Sequence, residues 1–302
     1  MLGAMLIKAV RFHEFGEPGV LRYEEVERPV PGAGQVRVRV AGTSFNPVDG
    51  NIRAGRMQGP IPVVLPHTPG IDVAGTVDEL GDGVDGVTVG DAVVGFLPMA
   101  APGAAAEYVI APAEALTRAP AGLDLADAAA LPLVGLTAWQ ALFEHAGLTA
   151  GQRVLVNGAG GAVGGYAVQL AEGAGADVLA VAGRRDAGRL AAVGEPVDVV
   201  LNLAPVEPSV LDTLVGLIRP GGVLVNTTVW MPAPSDPERG VRGVDLFVRS
   251  DAGQLAGLVA LVDRGELRVG VAERVPLAEL ASVHARAAAG ELSGKVVVTV
   301  SA

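Results

Sequence analysis

The sequence predicts an α/β protein in two parts: a β-rich first part, and a doubly wound parallel sheet that fills most of the second. Three observations predict it. The first 120 or so residues carry short alternating or apolar runs separated by Gly, Pro and Asp clusters, the pattern of a compact β domain. From about Asp124 the texture turns helical, and beyond Arg153 branched apolar runs alternate with helical segments. Within that second part, "VLVNGAGGAVGGYAVQLA" (154 to 171) passes from a strand through glycines straight into a helix.

Taken in order, "VRVRVAG" (36 to 42) alternates with period two, and "DVAGTVDELG" and "DAVVGF" are short strands bounded by turn residues. "DLADAAALPLVGLTAWQALFEHAG" has an apolar helical period, an acidic start and a terminal Gly147. There follow the strand "RVLVNG", a helix over 163 to 174, "DVLAVAG", a helix over 186 to 193, "VDVVLNL", a helix over 208 to 218, and "GGVLVNTT". Strands joined through helices form right-handed crossovers, hence a parallel sheet with both faces covered. Helices are expected near 252 to 265 and 277 to 290. "KVVVTV" has no helix after it and is expected to return to the β part. The stretch 230 to 243 reads as one long irregular loop. The expected domains are 1–124 with 251–302, and 125–250.

Composition excludes several function classes. The chain of 302 residues is half apolar and has no cysteine, which removes disulfides, thiolate metal sites and a cysteine nucleophile. A net charge of -11 opposes binding to nucleic acid or anionic lipid, so the expected partner is a small molecule. The longest uncharged run, Ala128 to Phe143, is shorter than the roughly 20 residues that span a bilayer. Met1 to Met5 lack the basic start of a signal peptide, and a cytoplasmic location is expected.

A strand that enters a helix through glycines lets backbone approach an anion, with the first helical N–H groups aimed at it. Dinucleotide pyrophosphate is the usual occupant, and Gly160, Gly161, Ala162 and Val163 are the candidate contacts. The strict fingerprint falls on Ala159, Gly161 and Gly164, so its first place is alanine. A plain tight turn is the alternative. About 20 residues on, where an acidic residue would accept from a ribose 2′-OH, stand Gly183, Arg184 and Arg185. Two guanidiniums beside a small residue suit a 2′-phosphate, which favours NADPH. Pairing of either arginine with Asp186 at a solvated helix start is the alternative.

At this point the chain resembles the medium-chain dehydrogenase/reductase superfamily, in its zinc-free quinone oxidoreductase branch. The residues that carry the resemblance are the ordered set "NPVDGNIRAG" (46 to 55), "PGIDVAGTV" (69 to 77), "VGDAVVGF" (89 to 96), "AAEYV" (105 to 109), "AAALPLVGLTAWQAL" (128 to 142), the glycine turn and "GELSGKVVVTV" (290 to 300). The resemblance implies a GroES-like β-barrel catalytic domain closed by the C-terminal segment, a Rossmann domain, an active site in the cleft, and a homodimer. It implies that Asn46 reaches the nicotinamide ribose and the reacting carbonyl, that Thr137 contacts the cofactor, and that Leu203, Thr227, Thr228, Phe247 and Val248 frame the nicotinamide. A core strand is the other reading of Phe247 and Val248. Asp49 is expected to brace the site with Arg53, and Tyr108 and Tyr166 to pack.

Zinc members of the superfamily would place a cysteine around "TSFN" and a histidine within Gly70-Ile71-Asp72; neither is present, and the cysteine-rich lobe is absent. His13, His67, His145 and His284 lack ligand spacing. His67 lies four positions before Ile71 and is expected to be a surface loop residue. Two departures from the family stand out. Asn51 and Met57 occupy places where relatives often carry tyrosine, and only Glu195 and Pro196 separate "AAVG" from "VDVVLNL". The Rossmann sheet is therefore expected to be short by one strand–helix unit, about five strands, with a more open adenosine side. The expected function is a zinc-independent NADPH reductase of quinones or α,β-unsaturated carbonyls. An enoyl-thioester reductase, or a nucleotide-binding sensor with little turnover, is the alternative.

Overall fold

The structure, a computed structural model, describes residues 5–182, 194–228 and 230–300. In chain order the elements are β1 (Leu6–Phe12), β2 (Leu21–Glu27), β3 (Gln35–Ser44), α1 (Pro47–Arg53), β4 (Asp72–Leu80), β5 (Ala92–Phe96), β6 (Tyr108–Pro112) and β7 (Leu116–Arg118). Next come α2 (Pro132–Trp139), β8 (Arg153–Asn157), α3 (Ala162–Gly173), β9 (Asp177–Val181), β10 (Val197–Asn202), α4 (Pro208–Gly216), β11 (Ile218–Asn226) and β12 (Arg242–Asp245). The chain ends with α5 (Ala252–Asp263), β13 (Glu273–Pro276), α6 (Leu280–Ala288) and β14 (Val296–Thr299). Two compact units divide it: Met1–Leu133 with Ser250–Gly265 and Val269–Ala302, and Val134–Arg249 with Glu266–Arg268.

The first unit is built on a seven-stranded sheet in the order β13-β14-β3-β4-β5-β7, with β6 also on β3, and a separate β1-β2 hairpin. Its spine is β3, buried at seven of its ten positions because β14, β4 and β6 all pair with it. The run "KVVVTV" does return to this unit: Val297 stands opposite Ser44 in an antiparallel pair. That pairing sets the residue before β14, Lys295, beside the end of β3.

The second unit holds a five-stranded, all-parallel sheet in the order β12-β11-β10-β8-β9, the strand number the short spacer predicts. Among the described residues β9 is an edge strand. The first strand, β8, has its successor β9 on one side and β10 on the other, so the chain reverses direction across the sheet at β8/β10. Open parallel sheets bind ligands outside the carboxyl ends of the strands at such a point. Leu155, Val200, Leu224, Leu211, Leu214 and Ile218 form the core beneath it. Fully burying each of these side chains contributes roughly 1.5–3 kcal/mol.

Two expectations are corrected. The helical stretch after Asp124 is three pieces: a 3-10 turn at Asp127–Ala130, then α2, then a π turn at Gln140–His145. Pro132 has no N–H to continue the first piece and instead opens the second. The π turn carries Gln140, whose amide both donates to the Arg249 carbonyl at 2.9 Å and accepts from its N–H at 3.1 Å. The stretch 230–243 is not one irregular loop. Val241 bridges back to Asp236, the Arg239 guanidinium binds the carbonyls of Val215 and Ile218, and Arg242 already starts β12.

Candidate functional site

At the carboxyl end of β8 the chain turns at Gly158, whose φ of 98° is open to glycine alone without strain. Gly161 is the residue before α3, and no side chain caps it. The first backbone bond of the helix is that of Gly165 to Gly161, so the N–H groups of Ala162 and Val163 precede it and face outward from the turn. Gly160 and Gly161 are exposed; Ala162 and Val163 are half-buried. Gly164 is different: a Cβ there would meet the Gly158 carbonyl oxygen at 2.3 Å and the Ala159 Cα at 2.6 Å. Helix and turn touch backbone to backbone at this position. The result is an uncapped helix start behind a turn whose one side chain is the Ala159 methyl, which suits a phosphate by dipole and by donor supply.

Beside the turn, the carboxyl edge carries a chain of amides absent from the sequence reading. Asn157, Asn202, Asn226 and Asp245 stand opposite one another across β8, β10, β11 and β12. Asn157 Nδ2 donates to Asn202 Oδ1 at 2.8 Å, Asn202 Nδ2 to Asn226 Oδ1 at 2.9 Å, and Asn226 Nδ2 to Asp245 Oδ1 at 2.9 Å. Asn226 Nδ2 also reaches the Met231 carbonyl at 2.7 Å, and the Asp245 carboxylate accepts from the Ala233 N–H at 2.9 Å. The expected nicotinamide residues hang from this chain. The Thr228 hydroxyl donates to Asn226 Oδ1 at 2.7 Å, and the Thr227 hydroxyl donates to the Asn202 carbonyl at 3.2 Å. Leu203 donates its N–H to the Asn157 carbonyl.

Phe247 and Val248 lie past the end of β12, so the core-strand reading fails: Phe247 is 54% exposed, and Trp230 is 61% exposed. Thr137 is buried on α2. Gly183, Arg184 and Arg185, with the helix expected at 186 to 193, lie outside the described residues.

In the first unit a polar cluster forms where three strands end. Asp72 opens β4, Ser44 closes β3, and Lys295 precedes β14. The Lys295 ammonium, 4% exposed, donates to Asn46 Oδ1 at 2.5 Å and lies 3.3 Å from Asp72 Oδ2. Asp72 Oδ2 also accepts from Asn46 Nδ2 at 2.8 Å and from the Ser44 hydroxyl, while Oδ1 accepts from the Leu133 N–H at 2.8 Å. Burial pushes the Lys295 ammonium down from its ordinary value, and the Asp72 and Asp49 carboxylates oppose that shift. Expectation put Asn46 against cofactor and substrate; here both ends of its amide are engaged by Lys295 and Asp72.

Asn46 also starts α1. Its N–H donates to Asp49 Oδ2 at 2.9 Å, and Asp49 Oδ1 accepts from the Gly70 N–H at 3.2 Å. Asp49 therefore braces two backbone segments and not Arg53, whose guanidinium donates to the Gly16 carbonyl. The acid at the third helical position is the reason, since it reaches back to the helix cap. Burial raises the Asp49 carboxyl to about 7 against the lowering effect of those two N–H groups. Asp49 lines a small recess, with room for about one water, together with Ile52, His67, Thr68, Gly70 and Met99.

His67 is corrected from surface to core: it is 3% exposed, its ring stands edge-on to Phe12 at 5.4 Å, and burial lowers it to about 4. Its backbone exchanges both hydrogen bonds with Phe12, which draws it inward. His284, against Phe45, is lowered to about 3 by burial and by the Arg53 charge. Met57 is buried, as is Tyr166, and the Tyr108 ring lies beside the Arg28 and Arg37 guanidiniums. Among the described residues no group of three or more His, Cys, Asp or Glu side chains could hold a metal ion, and no helix is long and apolar enough to cross a membrane.

Comparison with known proteins gives a consistent picture. Residues 32–121 match the alcohol dehydrogenase GroES-like domain, and residues 174–298 match the zinc-binding dehydrogenase family. The chain is 30% identical to a chloroplast envelope quinone oxidoreductase homolog of Arabidopsis thaliana, over 98% of this chain and 99% of that one. It is 32% identical to a quinone oxidoreductase of Lama guanicoe, over 93% and 94%. The solved structure of the quinone oxidoreductase from Coxiella burnetii superposes with a TM-score of 0.86 at 28% identity, over 98% of this chain and 100% of that one. The chain belongs to the medium-chain dehydrogenase/reductase superfamily, in its quinone oxidoreductase branch, and is an oxidoreductase of a family that works with a nicotinamide cofactor.

Proposed function

We propose that the protein is an NADPH-dependent reductase that passes a hydride to a quinone or an α,β-unsaturated carbonyl without a metal ion. One observation carries the reading: a glycine-rich turn in front of an uncapped helix, at the reversal point of a parallel sheet, on a chain whose full-length relatives are quinone oxidoreductases. The residues present fit a dinucleotide. The backbone of Gly160, Gly161, Ala162 and Val163 holds the pyrophosphate, because a helix start offers N–H groups and a favourable dipole to an anion. Leu203, Thr227, Thr228, Phe247 and Val248 flank the nicotinamide end, and Thr137 adds a contact. Gly183, Arg184 and Arg185 read the 2′-phosphate, a role argued from charge and from the planar fork of the guanidinium.

The bound cofactor supplies a hydride, and the acceptor takes it up together with a proton. A conjugated acceptor spreads the resulting charge onto a distant oxygen, so the chain has to align the nicotinamide ring with the acceptor's π-system. Asn46, held by Lys295 and Asp72, serves as a positioning residue that fixes the start of α1, and Asp49 ties that start to Gly70. The metal-free part of the reading rests on the donor set. The chain contains no cysteine, and the triplet that carries a ligand histidine in zinc relatives is Gly70-Ile71-Asp72, whose carboxylate is occupied by Lys295, Asn46 and Ser44.

The test has two stages. NADPH and NADH are titrated separately into the protein, followed by calorimetry; NADPH oxidation is then followed with benzoquinone, phenanthrenequinone, methyl vinyl ketone and crotonyl-CoA. Tighter NADPH binding and turnover of the quinones or the ketone are expected. Turnover of crotonyl-CoA alone would make it an enoyl-thioester reductase, and binding without turnover of any acceptor would make it a sensor. Activity that is lost with a chelator and restored by zinc would overturn the metal-free mechanism.

A further inference from the structure

The amide chain Asn157–Asn202–Asn226–Asp245 has a direction: Asp245 is its terminal acceptor, and the carbonyls of Ala204, Thr228 and Met231, which accept from Asn202 and Asn226, hold it the same way round. A carboxylate only accepts hydrogen bonds. Facing Asp245, Asn226 must turn Nδ2 outward, which leaves its Oδ1 toward Asn202; Asn202 must then present Nδ2 there and Oδ1 to Asn157; and Asn157 must spend Nδ2 on Asn202. Three amides across four strands thus point the same way, with one exposed charge at the end of β12 as the acceptor on which the row ends. The last of them keeps its carbonyl oxygen without a donor among the described residues, immediately before Gly158. The same carboxylate holds the Ala233 N–H, and Asn226 holds the carbonyls of Thr228 and Met231, so the chain also fixes the backbone that leaves β11. Amides in such a row polarise one another, and a polar network buried this deeply keeps one arrangement only if every member agrees on direction.

We propose that Asp245, acting through Asn226 and Asn202, is a positioning residue for the dinucleotide: it closes the row that presents the Asn157 acceptor at the base of the glycine turn and holds Thr228, Met231 and Ala233 at the carboxyl edge. The division of labour follows from chemistry. Backbone N–H groups at the turn take phosphate oxygens, and an oriented carbonyl beside them takes a hydroxyl donor such as a ribose hydroxyl, which a phosphate oxygen cannot replace. An amide at 245 can turn its NH2 toward Asn226 and the Ala233 N–H, so the row loses its terminal acceptor and only the carbonyls of Ala204, Thr228 and Met231 keep its direction. The inference rests on the dinucleotide reading above.

The test is a double-mutant cycle on NADPH affinity, measured by calorimetry on the full chain, with thermal melts of every variant. Asp245→Asn keeps the shape of an exposed side chain and removes the acceptor-only end; Asn157→Ala removes the far end. Each is expected to raise Kd about 3- to 10-fold, as for the loss of one oriented hydrogen bond. The double variant is expected to bind more tightly than the product of the two effects allows, because both cut one row. Asp245→Glu restores an acceptor-only group and is expected to return Kd toward that of the unmodified protein. Additive effects from residues separated by two intervening strands, or an unchanged Kd in Asp245→Asn with only a lower melting temperature, would overturn the inference while leaving the dinucleotide reading intact. An unmodified protein that binds neither NADPH nor NADH would overturn both.

Discussion

Replacing Gly164 by alanine tests the nucleotide turn at its tightest point. The added Cβ would stand 2.3 Å from the Gly158 carbonyl oxygen and 2.8 Å from the Ala159 carbonyl carbon. Restoring ordinary contact requires backbone to retreat by about 1 Å, because dispersion contacts are optimal near 3.5–4 Å. Overpacking of this kind costs about 1–3 kcal/mol of stability. Moving the turn also misplaces N–H groups that would meet a pyrophosphate. Each hydrogen bond to a charged group is worth about 1.5–3 kcal/mol, or roughly 10- to 150-fold in Kd. Gly165 is the control: nothing lies within 4 Å of a Cβ there, so alanine gains helix propensity of up to ~1 kcal/mol. Urea denaturation gives the stabilities and NADPH calorimetry the affinities. Gly164→Ala is expected to be less stable than Gly165→Ala and to bind at least about tenfold more weakly. A Gly164→Ala protein with unchanged stability and Kd would refute the backbone contact and the turn's part in binding together.

Exchanging Arg184 and Arg185 for alanine should weaken NADPH by about 1.5–3 kcal/mol, the value of charge-assisted hydrogen bonds, and spare NADH; equal weakening of both cofactors would remove these arginines from phosphate recognition. Lys295→Met should destabilise the chain by about 3–5 kcal/mol, since it leaves the Asp72 carboxylate buried without its cation; a shift below 1 kcal/mol on denaturation would show that Asn46, Ser44 and Leu133 suffice to hold it. Stability should also rise from about pH 4 to 6.5. Over that range folded His67 and His284, lowered to about 4 and about 3, each bind fewer protons than when unfolded, and folded Asp49, raised to about 7, binds more. Two histidines against one carboxyl leave a net gain that is greatest near pH 5, at about 1 kcal/mol per pH unit, and fades by pH 6.5. His284→Leu should flatten the slope, and a slope unchanged by that substitution would contradict the neutral buried ring.

Much of the architecture was legible from local pattern. The period-two runs, the glycine turn and the helical stretches mark β3, β8 and α3 because strand and helix periodicity and turn chemistry are properties of neighbouring residues. The short spacer Glu195-Pro196 announced a sheet of five strands for a similar reason: a missing strand and helix need residues that are not there. His67 was misplaced because a lone histidine in a turn-rich segment carries no sign of whether its backbone will bridge to Phe12. For Lys295 a signal existed. The chain has only two lysines among its 22 Lys and Arg residues, and a compact ammonium just before an apolar strand hints at a buried cation where a guanidinium would not fit.

By itself, the sequence determined the class of the fold, the turn that meets an anion, and the want of thiolate ligands, because each depends on which residues are present and in what short-range order. Only the tertiary structure decided that Asn157, Asn202, Asn226 and Asp245 form a single row, and that Asn46, Asp72 and Lys295 close on one another. Those residues lie far apart along the chain, and strand order and register bring them within hydrogen-bond reach. A one-residue slip in any of those pairings would turn the side chain to the opposite face of its sheet.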